Sequence, residues 1–76
     1  MKYQKHQIEN VTRSELEYLI DEHVIGFKAE RNRVIMKRRL CDGVTFEKIA
    51  EESDMSVMQI KNIVYKQMEI LSKAMR

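Results

Sequence analysis

Proline and tryptophan are missing from this 76-residue chain, glycine occurs only at Gly26 and Gly43, and Cys41 is its one cysteine. Each scarcity excludes something. Without proline, and with so little glycine, nothing enforces long irregular loops, while abundant Lys, Glu, Leu, Met and Ile favour helix. A lone thiol allows no internal disulfide and fits a reducing compartment, so the expected location is the cytoplasm. No run of about 18 apolar residues is available to span a bilayer. The opening stretch, MKYQKHQIEN, has no apolar core of signal-peptide type, and no membrane partner is expected. Strand-type alternation, internal repeats and low-complexity runs are absent too. A chain of this length is one domain, with a core too small to enclose a sizeable substrate pocket.

Catalytic chemistry finds little to work with. His6 and His23 lie in different segments, and neither sits at metal-ligand spacing from a Cys, Asp or Glu cluster. Cys41 has no nearby His to activate it, no Gly-rich phosphate loop occurs, and Glu51 and Glu52 point in different directions as adjacent helix positions. No enzyme activity, cofactor or metal is expected. The net charge of +2 is small, but its distribution is uneven. Residues 1–25 carry three cations against five acids, 26–44 six against two, 45–56 one against four, and 57–76 four against one. Two basic segments flank an acidic one, a distribution that suits a module neutralising nucleic-acid phosphates.

Helical signals recur along the chain. Residues 1–11 are polar without a sustained period and read as a flexible tail, in which Tyr3, Lys5 and His6 are available to a partner. Residues 12–76 form the domain. Thr12 and Glu15 make a capping box, and Leu16, Leu19, Ile20, His23 and Val24 recur at helical spacing, predicting a helix to about Ile25. Gly26 suits its C-terminal cap, with Phe27 packing back onto it. A second helix is predicted from Lys28 to about Cys41, with Ala29, Val34, Ile35, Leu40 and less clearly Met36 inward, closing at Asp42 and Gly43. Its Arg31, Lys37, Arg38 and Arg39 cannot all face one surface at 100° per residue, so only some can reach a phosphate backbone together.

The stretch from Val44 to Leu71 carries the functional reading. Thr45 is placed as the N-cap of a short helix beginning at Phe46, with Val44 and Ile49 as its hydrophobic staple. Ser53, Asp54 and Met55 interrupt the helical spacing, and Asp tolerates the left-handed backbone of a sharp turn. Ser56 and Gln59 form another capping box, so a longer helix starts at Val57 and runs to about Ala74. Two capped helices about four residues apart have the length signature of a helix-turn-helix. Ala50 is the small residue a close crossing needs. Ile60, Ile63, Val64, Met68, Leu71 and Met75 give the long helix its inward face, leaving Val57, Met58, Lys61, Asn62 and Tyr65 outward. In such a unit those positions enter the major groove, where an amide pairs with adenine and a cation with guanine or phosphate.

The run ERNRVIMKRRLCDGVTFEKIAEESDMSVMQIKNIV, about half the chain from Glu30, resembles the C-terminal helix-turn-helix domain of bacterial sigma factors, their fourth conserved region. Glu30, Arg31 and Arg33 leading to Val34 and Ile35, then Asp42 to Phe46, Glu47 to Glu52, and Met55-Ser56 carry the likeness. LuxR-type regulators share much of it. The chain departs from that pattern at Ser53, Asp54, Val57 and Met58. The resemblance implies a four-helix, major-groove-reading domain with Val57, Met58, Lys61 and Asn62 at family contact positions.

The expectation is therefore an all-α, four-helix protein with a helix-turn-helix, binding double-stranded DNA as a stand-alone transcription regulator of the kind phages and mobile elements carry. Its DNA-facing set is Ser56, Val57, Met58, Gln59, Lys61, Asn62, Tyr65 and Lys66, with Arg38 and Arg39 of the second helix. The competing expectation is a protein-interaction module, in which Val57, Met58 and Ile70 dock on RNA polymerase, a sigma factor or a second copy.

Overall fold

The computed structural model describes residues 11–75, so the sequence reading of residues 1–10, including Tyr3, Lys5 and His6, lies outside the described residues. Among the described residues four helices follow in order: α1 Arg13–His23, α2 Ala29–Leu40, α3 Phe46–Ser53 and α4 Val57–Ala74. There is no strand among the described residues, and the protein is a small all-α domain.

Local chemistry sets three of the four helix starts. Thr12 accepts from the Glu15 amide while the Glu15 carboxylate accepts from the Thr12 amide, a complete capping box for α1. Thr45 caps α3 by accepting from the Lys48 amide. Ser56 and Gln59 repeat the reciprocal box at the start of α4. Between α3 and α4, Asp54 adopts the left-handed conformation at φ 56°. The Met55 amide then reaches the Ala50 carbonyl at 3.0 Å and the Asp54 amide reaches that of Glu51 at 3.4 Å, a paired closure that satisfies carbonyls left over at the helix end. The turn is thus formed by residues 54–56, as the broken apolar spacing predicts at Asp54 and Met55, whereas Ser53 is still the last residue of α3.

The core joins all four helices. Leu16, Ile20 and Val24 come from α1 and its end, Ile35 and Met36 from α2, Ile49 and Ala50 from α3, and Ile60, Val64, Met68 and Leu71 from α4. α4 packs against each of the other three. Ala50 is 5% exposed where α3 meets α4, so Ala50→Leu forces extra methylenes into a filled site. We expect it to cost about 1–3 kcal/mol, read as a lower denaturant midpoint at unchanged slope.

Several expectations are corrected. α1 ends at His23, and Val24 departs from helical geometry with its side chain fully buried, so the chain leaves the helix to fill the core. Gly26, at φ 95°, lies beyond that end rather than capping it, and Phe27 is 87% exposed instead of folding back. Val34 is 60% exposed. At 100° per residue it lies about 150° from the midpoint of Ile35 and Met36, which face the core together. Asn32, one turn before that pair, takes the inward place, its carbonyl oxygen accepting from the Arg31 guanidinium at 3.0 and 3.1 Å. Val11, assigned to the tail, packs half-buried against the core.

Candidate nucleic-acid interface

The expected DNA-facing residues divide once packing is taken into account. Met58, Gln59, Asn62, Tyr65 and Lys66 are exposed on the outer side of α4. Lys61 is half-buried on its flank. Val57 is not outward: it lies half-buried against the core, one turn before Ile60 and on the same stripe as Val64 and Leu71. Ser56 is exposed, but its hydroxyl is engaged by the Gln59 amide and its own amide by Gln59 Oε1 at 3.0 Å. Gln59 thus keeps its Nε2 donors and one Oε1 lone pair to offer a ligand.

Phe46, which the sequence reading used only to begin α3, organises part of this surface. The Arg39 guanidinium lies 4.2 Å from its ring centroid and the Lys61 ammonium 5.8 Å from it. Tyr65 meets the same ring edge-on at 5.9 Å between centroids. Arg39 also donates to the Val44 carbonyl at 3.1 Å. Cations from α2 and α4 are therefore collected on one aromatic side chain at the first turn of α3, an arrangement worth about 0.5–1 kcal/mol per pair at exposed sites. The available sequence signal was an aromatic ring placed between two basic segments.

The remaining cations of α2 are mostly tied within the fold. Arg38 donates to both Glu52 oxygens, at 2.5 and 3.0 Å, and to Asp42 at 3.2 Å, fastening α2 to α3. Asp42 also accepts from Arg13 at 2.6 Å, which draws in α1. Lys37 pairs with Asp21 at 2.9 Å, and Arg33 donates to the Val24 carbonyl at 2.9 Å. By contrast Lys61, Lys66 and Lys73 on α4 have no carboxylate partner among the described residues. Arg31, Arg33 and Arg39 of α2 likewise lack a carboxylate partner among the described residues and donate to uncharged oxygens, so positive charge remains on both helices, and the acidity of α3 is partly spent on Arg38.

That fastening has a pH signature. The hydrogen bond from Arg13 lowers the Asp42 carboxyl below its ordinary 3.8, and the one from Arg38 lowers Glu52 below 4.5. A depressed carboxylate stabilises the fold above its unfolded value, and that contribution is lost as pH falls through the folded one. Arg38→Met should therefore flatten the acid limb of the curve of melting temperature against pH below about pH 5. The difference between variant and parent should be largest near neutrality and shrink as both carboxyls protonate. Cys41, half-buried beside this network, has its thiol pushed above the ordinary 9.0 by burial, so it stays protonated at neutral pH.

No group of His, Cys, Asp and Glu among the described residues is placed to hold a metal ion, and none of the described helices is long and apolar enough to cross a membrane. No family model, curated protein or solved structure matches the chain.

Proposed function

We propose that α3, the turn at Asp54 and α4 act as a DNA-binding helix-turn-helix, with α4 entering the major groove and the protein serving as a small transcription regulator. The observation that carries this reading is the outer side of α4. There Asn62, Tyr65 and Lys66 are exposed together, Lys61 flanks them, and the helix's cations lack carboxylate partners among the described residues. Asn62 has the paired donor and acceptor that match adenine, while Lys61 and Lys66 suit guanine or backbone phosphate. Arg39, held on Phe46 beside Lys61, supports a phosphate contact near the start of α3. Arg38 is better understood as a fastener than as a phosphate ligand, because three of its donor contacts go to Glu52 and Asp42. The resemblance to the sigma-factor domain supports the same reading.

A salt titration tests it. Affinity for duplex DNA should fall linearly on logarithmic axes as salt rises, with a slope set by the number of phosphates neutralised. Feeble binding at every salt concentration, together with capture of RNA polymerase that depends on Met58, would favour the interaction-module reading instead. Met58, 67% exposed beside the cationic side chains, is the observation behind that second reading. Selection of bound fragments from random duplexes would then supply the operator, and a palindromic result would indicate a symmetric dimer.

A further inference from the structure

A second surface lies on another flank of α4, where a groove of about 370 Å³ opens toward the α1–α2 corner. Ile25 and Phe27 wall it from the corner, Ile63 and Ile70 from α4, and Arg31 and Lys66 supply its charge. We propose that this groove docks an acidic, apolar-anchored helical segment of a partner protein. The groove shares Asn62 and Lys66 with the DNA-facing set, so the two ligands would compete there, while its apolar walls lie outside that set.

Three observations define the occupant. First, the walls are apolar yet solvated: Phe27 is 87% exposed, Ile25 66% and Ile70 38%. The Phe27 ring has the Lys28 ammonium 5.5 Å from its centroid. Adjacent large apolar side chains left in water mark an interaction site rather than scattered exposure. Second, the two charged lining residues are both cations, and no Asp or Glu lines the groove. An incoming segment matches this with carboxylates flanking its apolar anchors. Third, Gln67 lines the groove while only 7% exposed, and its Oε1 is buried without a hydrogen-bond partner among the described residues. A buried acceptor left unpaired is costly, and turning this amide toward a donor on the occupant would satisfy it. Phosphates of a nucleic acid would answer the cations but leave the four apolar walls without a counterpart. An amphipathic helix answers both at once, through anchors at three- and four-residue spacing.

The probe is a fluorescein-labelled amphipathic peptide of about 15 residues, roughly four helical turns. It bears Leu and Phe anchors on one face and Glu at the flanking positions. Anisotropy should show saturable binding, and NMR should show the Gln67 side-chain amide shifting on titration. Phe27→Ala, at an exposed position that the fold does not need, should weaken binding about tenfold, the loss typical of an anchoring contact. Arg31→Glu should weaken it as well and recover in part with a peptide carrying Lys in place of Glu. Because Arg31 also holds the buried Asn32, melting curves accompany that variant, and Phe27→Ala decides the matter if it unfolds. Lys61→Ala does not alter the groove and should leave peptide affinity intact whatever it does to DNA binding. The proposal is overturned by undiminished binding in folded Phe27→Ala, or by equal binding of the Lys peptide to the parent protein. It is likewise overturned if random duplex DNA, and not the peptide, shifts the groove resonances, or if sedimentation shows that a second copy fills the groove.

Discussion

Leu71→Ala should destabilise the protein by about 2–5 kcal/mol, the range for deleting a buried leucine side chain and leaving a cavity. Leu71 is fully buried in the cluster that gathers all four helices. Its neighbour Ile70 keeps 38% of its surface in water at the groove, so Ile70→Ala should cost less, about 1–2 kcal/mol. Chemical denaturation of the two variants side by side measures the contrast. Similar losses at both positions would mean that α4 is rotated about its axis from the orientation described. In a domain of this size, a loss at the upper end of the range is a large share of the usual total stability, so Leu71→Ala should also lower the melting temperature steeply.

The second large effect concerns DNA. On the proposed reading, Asn62→Ala removes a paired contact to a base and should weaken binding to the selected operator by about 1–3 kcal/mol, relaxing preference at one position. Binding to random duplex should hardly change. Lys66→Ala should do the reverse, weakening all sequences alike and reducing the salt slope by about one. Competition binding at several salt concentrations separates the two. Equal behaviour of both variants would argue against a base-reading role for Asn62 and for a surface that holds DNA only by charge.

What could be read from the residues alone was what is decided locally. Capping boxes, the Asp54 turn and the inward stripe of α4 depend on groups within four or five positions of one another, and the structure places them as their spacing implies. The misreadings came from choices made across the fold. Val34 and Phe27 are apolar but face solvent, whereas Asn32, Gln67 and Ser72 are polar but buried. A rule that sorts positions by hydropathy necessarily gets such places backwards. Val57 stands early in α4, where recognition residues are expected, yet its angular position puts it with Ile60 against the core. Arg38 illustrates the same limit for charge. Its neighbours in the chain suggest a basic helix face, while its partner, Glu52, is fourteen residues away and can be found only once α2 and α3 are in contact. The cation cluster around Phe46 is likewise a product of tertiary packing.

The start of α2 differs from those of its three companions. Lys28 occupies the N-cap position with φ 60°, a left-handed conformation uncommon for lysine, and contributes no side-chain acceptor to the amides that follow. Each of the other helices begins with a hydroxyl locking its first turn. The Glu30 and Arg31 amides should accordingly exchange with deuterium through local fraying, well ahead of those in the first turns of α1, α3 and α4. The molecule is fastened unevenly, and the corner before α2 is its natural point of give.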